Sequence, residues 1–414
     1  MKIISLIALL VPFSTIAARA ELDFEKPLAE LLDKNVLEVP QIHRVPEKDI
    51  GEIQAIFYDT LDFQGNPTRA FAYLGVPKSD KPVPAMVLVH GGGGKAFHEW
   101  VKIWNDRGYA AISMSLEGHM PNDQGEGKLR HEFSGPERVG MFDDIDKPLE
   151  EQWMYHAVSD VMLAHSLLRS MPEIDADRIG MTGISWGGVL SSLISGVDDR
   201  FKCAMPVYGA GFLYDSEGHF KDMGGRNPAM IAQKKFWDPA RQFSKGSVPT
   251  LWVNGDVDAH FSVNITSRSF AATQDHAYMT IHPGMRHGHP PGWDPRANPE
   301  IYAFADQVLK SETPGLGKIT KQPESRNIEL TYASEVPLTE ATVYYLEEKI
   351  TYRKKNEEDQ HAGPGKWLKM PAEIDVEAKT VKSTLPNEAV TYYVNLSDER
   401  GHHVSSVVVE LLAE

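Results

Sequence analysis

Between Gly51 and about Leu309 short strand-like runs alternate with longer amphipathic stretches, which confines the chain to an α/β architecture with a mostly parallel sheet flanked by helices. Ile53 to Tyr58 and Ala70 to Gly75 read as a leading pair of strands. Ala85 to Val89 follows as an apolar strand, Trp100 to Asn105 lies in a helix, and Ala110 to Met114 forms the next strand. A long helix is predicted over Trp153 to Leu168, ahead of a strand at Arg178 to Met181. Further strands are predicted at Ala204 to Tyr208, Thr250 to Val253 and Tyr278 to Ile281, with a closing helix at Ile301 to Leu309. Two segments interrupt this pattern just after predicted strands: Gly118 to Lys147 and Gly209 to Ser247, both rich in Gly, Pro and charge. Ligands of open α/β sheets bind beyond the carboxyl ends of strands, so insertions there are placed to shape a substrate pocket.

After Pro314 the texture changes. Gly315 and Gly317 make a linker, and short alternating runs follow at Asn327 to Tyr332, Ala341 to Leu346, Thr391 to Leu396 and Val404 to Leu411. Turn signals separate them, which predicts a small β-sandwich, comparable with immunoglobulin-like domains but without their cysteine pair. The expected division is a leader at 1–20, a catalytic domain at 21–312 and the sandwich at 322–414. Trp367 and Tyr393 are either core residues of the sandwich or the aromatic platform of a sugar-binding surface.

Of the 414 residues, 42% are hydrophobic and 24% charged, values of an ordinary folded chain long enough for more than one domain. The first twenty residues differ: Lys2, an apolar run from Ile3 to Phe13, then Ala18-Arg19-Ala20. That order matches a secretory signal peptide cut after Ala20, and the apolar run is too short to span a bilayer. The chain is therefore expected to be secreted or periplasmic, with no membrane insertion after the leader is removed. Removal takes away Lys2 and Arg19, so 42 − 2 = 40 basic residues face 58 acidic ones and the net charge moves from −16 to −18. Such acidity argues against nucleic acid as a partner and leaves neutral or weakly charged substrates open. Cys203, the single cysteine, opens an apolar strand-like run and reads as an inert buried thiol, with Lys202 as its one activating neighbour.

Ser185 sits at the centre of Gly183-Ile184-Ser185-Trp186-Gly187, between a strand and the helical run Val189 to Ile194. This is the strand-turn-helix context of a nucleophile elbow, although the pattern alone is weak. His90-Gly91-Gly92-Gly93-Gly94 follows the strand Ala85 to Val89, and its glycines leave backbone N–H groups free to approach a substrate oxygen. A phosphate loop is the rival reading, but no Lys-Ser or Lys-Thr follows at the required spacing. The Trp186 N–H is a further candidate donor. Downstream, Asn254-Gly255-Asp256-Val257-Asp258 offers a carboxylate just past a strand, with Asp258 preferred over Asp256 because it stands three residues after the glycine. Pro283-Gly284-Met285-Arg286-His287-Gly288 offers a base, with His287 favoured over His282 and His289 because it lies just after the Pro-Gly turn. A serine hydroxyl needs an imidazole to take its proton, and the imidazole needs a carboxylate to hold its tautomer. No H-E-x-x-H or cysteine-histidine spacing defines a metal ligand set, and no cofactor is implied.

Together these four motifs resemble the α/β-hydrolase superfamily, in particular its dienelactone hydrolase and acetyl xylan esterase-like branch, over about residues 50–311. Trp153-Met154-Tyr155-His156 and the Gly183 to Gly188 stretch are similar to secreted bacterial esterase-like proteins of that branch. The resemblance implies an α/β-hydrolase fold, Ser185, Asp258 and His287 as the triad, and Gly92, Gly93 and Trp186 as the oxyanion hole. Dienelactone hydrolases proper use cysteine where this chain has Ser185, so dienelactone is not the expected substrate. The expected activity is hydrolysis of carboxylic esters through an acyl-enzyme, on a small-molecule or glycan ester, acylated carbohydrate foremost. A peptidase, a polyester hydrolase and a non-catalytic glycan-binding protein on the same scaffold are the alternatives.

Overall fold

Nine strands form one twisted sheet through the larger part of the chain: β1 (Ile42–Arg44), β2 (Gln54–Phe63), β3 (Asn66–Gly75), β4 (Val83–Val89), β5 (Ala110–Met114), β6 (Ile174–Ile184), β7 (Cys203–Val207), β8 (Thr250–Gly255) and β9 (Ala277–His282). Their order is β1-β2-β3-β5-β4-β6-β7-β8-β9. The leading strands pair antiparallel, whereas β5, β4 and β6 to β9 run parallel. The computed structural model describes residues 26, 28–122, 128–217, 232, 234–243, 248–273, 276–351 and 365–411. The expected leader at 1–20 and parts of both insertions lie outside the described residues.

The parallel strands are apolar almost throughout because both faces are covered. Every residue of β4, β5, β7 and β8 is buried, which is why these runs do not alternate. The covering helices are α1 (His98–Asp106), α2 (Trp153–Ser170), α3 (Trp186–Ile194), α4 (Val263–Thr273) and α5 (Pro299–Leu309). Helix α2 is buried over its first sixteen residues and takes Asp160 into the core. Cys203 is buried on β7, where desolvation pushes its thiol up to about 12, well outside the reactive range. Because β4, β6, β8 and β9 are parallel, the loops that leave their carboxyl ends all open on one edge of the sheet.

The C-terminal strands are β10 (Lys318–Lys321), β11 (Asn327–Ala333), β12 (Leu338–Leu346), β13 (Leu368–Pro371), β14 (Glu373–Asp375), β15 (Thr380–Thr384), β16 (Thr391–Asp398), β17 (His403–Ser405) and β18 (Val409–Glu410). They make two antiparallel sheets, β10-β11-β15-β14 and β13-β12-β16-β17, with β18 also paired to β16. The single run expected at Val404 to Leu411 is thus two strands on β16. Ser406, between them, takes the Val394 N–H with its hydroxyl. These sheets meet the large sheet along β9. Thr280 Oγ1 donates to the His403 carbonyl at 2.9 Å, and the Ile281 N–H donates to Ser405 Oγ at 2.7 Å. Asn395 Nδ2 donates to the Ile281 carbonyl at 3.0 Å.

Candidate active site

Ser185 links β6 to α3 with φ +60° and ψ −119°, a conformation that costs a non-glycine residue free energy and that the surroundings must enforce. They do so by close packing. A Cβ on Gly183 would overlap the Gly187 carbonyl, and one on Gly187 would overlap the Val89 carbonyl. The Ser185 N–H donates to the Val207 carbonyl at 2.9 Å, which ties the turn to β7. Trp153, at the start of α2, sits edge-on to Trp186 with ring centroids 6.0 Å apart. Its indole N–H donates to the Leu116 carbonyl at 2.7 Å, so the loop after β5 is fastened beneath the turn.

His287 and Asp258, from the loops after β9 and β8, meet Ser185. His287 Nε2 stands 2.8 Å from Ser185 Oγ, and His287 Nδ1 stands 2.7 Å from Asp258 Oδ2. A carboxylate only accepts, so Nδ1 carries the ring proton and Nε2 faces the hydroxyl as acceptor. Asp258 is 2% exposed, and its other oxygen accepts the N–H groups of His260 at 2.7 Å and Phe261 at 2.8 Å. The imidazole is packed between His260, Phe261 and Tyr208, at centroid distances of 4.3, 5.9 and 4.8 Å. The Tyr208 hydroxyl donates to the Arg286 carbonyl at 2.9 Å, which anchors the loop next to the base. Such an arrangement can withdraw the hydroxyl proton as the oxygen attacks an electrophile.

The glycine loop after β4 is held at both ends. The Leu116 N–H donates to His90 Nε2 at 2.9 Å, so Nδ1 carries the proton and donates to the Gly91 carbonyl at 2.7 Å. Burial lowers the His90 pKa and keeps the ring neutral. The Gly91 N–H donates to His289 Nε2 at 2.9 Å, and burial together with His90, His287 and Lys128 brings His289 down to about 4. The Gly92 N–H has no acceptor among the described residues, and a Cβ at this position would run into Trp186 and Arg138. Gly93 departs from the expectation. With φ at +68°, its N–H donates to Glu117 Oε1 at 2.8 Å, so that carboxylate already occupies the donor. The hole that the loop can offer is therefore Gly92, with the Trp186 N–H at the start of α3.

Several contributors carry no sequence motif. Glu117, 7% exposed, accepts from Arg138 Nε at 2.8 Å as well as from Gly93. Burial alone would raise the Glu117 carboxyl, but the hydrogen bonds from Arg138 and Gly93 outweigh it and hold the group below the usual range. Arg138 also donates to the Gly140 carbonyl at 2.6 Å and lies over the rings of Trp153 and Trp186. A narrow crevice of about 10 Å³ beside the turn is lined by Arg138, Met141, Phe142, Trp153, Met154 and Trp186 among others. The alternatives weighed in the sequence have other partners. Asp256 Oδ1 accepts the Gly284 N–H at 2.6 Å, and Oδ2 accepts the Tyr393 hydroxyl at 3.0 Å. Burial raises its carboxyl to about 6. Trp367 Nε1 donates to the Asp256 carbonyl at 2.9 Å. Tyr393 is fully buried, so it is no sugar platform; with Trp367 it joins the C-terminal sheets to the loops that carry Asp258 and His287. His282 faces Glu300 at 3.4 Å and does not reach Ser185.

Fold and site together define a hydrolase of the α/β serine-hydrolase superfamily, an esterase or a peptidase. Residues 15–228 match the family described as acetyl xylan esterase (AXE1), and the chain belongs to that family. Residues 145–312 also match the prolyl oligopeptidase family. Among solved structures, an acetyl xylan esterase from Paenibacillus sp. R4 is 18% identical with a TM-score of 0.51, covering 68% of this chain and 91% of that one. Acetyl xylan esterase 1 from Thermoanaerobacterium sp. JW/SL YS485 is 16% identical with a TM-score of 0.50, covering 69% and 98%. At these identities the likeness shows the fold alone. A curated relative, the uncharacterized peptidase YuxL of Bacillus subtilis (strain 168), is 23% identical over 203 residues, 46% of this chain. The chain spans only 28% of the length of that relative. No helix among the described residues is long and apolar enough to cross a membrane.

Proposed function

We propose that the protein is an exported serine esterase that removes short acyl groups, acetyl foremost, from carbohydrate. The observation that carries this reading is the continuous chain of hydrogen bonds Ser185–His287–Asp258 beside the open Gly92 N–H. In this mechanism Ser185 Oγ attacks the ester carbonyl carbon as His287 Nε2 takes its proton. The oxyanion is held by the N–H groups of Gly92 and Trp186. Collapse expels the alcohol, which leaves with the proton from His287, and water then attacks the acyl-serine by the same route. Asp258 holds the ring and offsets the imidazolium charge. Membership of the acetyl xylan esterase family supports a short acyl group, acetyl foremost, and a carbohydrate. Export rests on the signal peptide pattern at 1–20, and an N-terminus at Glu21 in protein recovered outside the cytoplasm is its check.

The match of residues 145–312 to the prolyl oligopeptidase family favours a peptidase as the second reading. Turnover of p-nitrophenyl acetate, p-nitrophenyl octanoate, acetylated xylan and a peptide anilide separates the two. The expected order places acetyl esters first, and anilide turnover above acetate would select the peptidase. Ser185→Ala is expected to lower ester turnover by about 10⁴-fold or more. Ester hydrolysis unchanged in that variant would refute the nucleophile.

A further inference from the structure

Three side chains that the hydrolytic mechanism does not use converge where the C-terminal sheets meet β9. His282 ends β9, Glu300 lies in the first turn of α5, and His403 opens β17. Glu300 is fully buried and His282 is 8% exposed. His282 Nε2 approaches Glu300 Oε2 to 3.4 Å, and His403 Nδ1 approaches Oε1 of the same carboxylate to 3.3 Å. A charged imidazole–carboxylate hydrogen bond would close to about 2.7–2.9 Å. Among the described residues His282 Nε2, Glu300 Oε2 and His403 Nε2 have no hydrogen-bond partner. Glu300 Oε1 accepts the His403 backbone N–H at 2.9 Å. One ligand atom from each residue lies within 4.8 Å of the other two.

A carboxylate fully removed from water with one oxygen unbonded is costly, and two orphaned imidazole nitrogens add to that cost. A cation held by His282 Nε2 and Glu300 Oε2 answers two of these deficits, and His403 lies close enough to add one ring nitrogen. Donors bound at 2.0–2.2 Å to a tetrahedral ion stand about 3.3–3.6 Å from one another, and the His282 Nε2–Glu300 Oε2 contact at 3.4 Å has that spacing. We propose that His282, Glu300 and His403 bind a divalent transition-metal ion of the zinc class that clamps the C-terminal sheets to the hydrolase sheet. Two imidazoles and a carboxylate suit zinc better than calcium or magnesium, which prefer oxygen ligands. The His403 side chain keeps 17% of its surface exposed, which leaves an entry path and room for a water as fourth ligand. The clamp is independent of the chemistry at Ser185, and its sequence signal is absent because the three ligands come from separate elements.

The test uses the full chain without a histidine tag, loaded with zinc, passed through a desalting column and assayed for metal by mass spectrometry. About one equivalent of zinc is expected, together with a melting temperature that falls by roughly 5 °C or more on chelation. Glu300→Gln and His403→Ala are each expected to lose the bound zinc, with native near-ultraviolet circular dichroism reporting intact folding. His260→Ala is expected to keep it, because that residue neighbours His287 and Asp258 in a different cluster. Less than about a tenth of an equivalent in the wild type would overturn the proposal and leave a metal-free histidine–glutamate cluster in its place. Zinc retained in both clamp variants, or lost in His260→Ala, would overturn it as well. Should the clamp variants fold poorly, cobalt loading of the wild type decides. Visible absorption of a low-coordinate nitrogen–oxygen site supports the clamp, and its absence overturns it.

Discussion

At the scale of single residues, the site depends on atoms with one geometry available to them. Ser185 holds φ +60° because glycines on either side let the backbone of α3 come within contact of β4. Asp258 is the clearest case of a charge placed for one purpose: it is buried, and one oxygen takes two backbone N–H groups while the other faces His287. Replacing it with Asn keeps the shape but lets the side chain donate, which favours the wrong imidazole tautomer. Asp258→Asn is expected to lower kcat by about 10³- to 10⁴-fold with little change in KM, measured on p-nitrophenyl acetate. A KM effect without a kcat effect would place Asp258 outside the proton relay.

Among the elements, the parallel strands were legible because burial on both faces writes itself as uninterrupted apolar runs, as in Ala85 to Val89 and Ala204 to Val207. Ser185, His287 and Asp258 were legible for a related reason, since each follows such a run in a Gly-marked turn. Gly93 was misread because five residues of loop do not reveal which N–H points where. That is decided by Glu117, a residue with no motif, reached only through the packing of the loop after β5. Arg138 was hidden in an insertion for the same reason. Glu117 therefore sets the shape of the glycine loop through Gly93 and the position of Arg138 beside Trp186. Glu117→Ala is expected to lower kcat/KM by about 10- to 100-fold while Ser185 still reacts with a fluorophosphonate, and Glu117→Gln is expected to recover much of the loss. Equal activity of Glu117→Ala and wild type would show that the loop is held without this carboxylate.

For the whole molecule, a buried carboxyl outside the proton relay shapes the pH response. Asp160 on α2 has no partner for one oxygen among the described residues, and burial raises its pKa to about 8. An unfolded aspartate titrates near 4, so between roughly pH 4 and pH 8 the folded chain binds the extra proton. Its contribution to stability is full below that window, falls as the pH rises through it and is lost above pH 8. Asp160→Asn is expected to stabilise the protein by about 1–3 kcal/mol at pH 8.5 and by less at pH 5.5, read from thermal melts. A gain of the same size at both values would rule out titration of Asp160 as the cause. The seam along β9 bears on another matter, the freedom to shorten the chain. Ser405 and Asn395 occupy the outward N–H and carbonyl of Ile281. A fragment stopped at residue 312 would lay that strand bare as a template for a second copy, so the hydrolase portion is expected to self-associate when expressed alone. Gel filtration of the fragment beside the full chain reads this directly, and identical behaviour would mean that the C-terminal sheets do not serve as a cover.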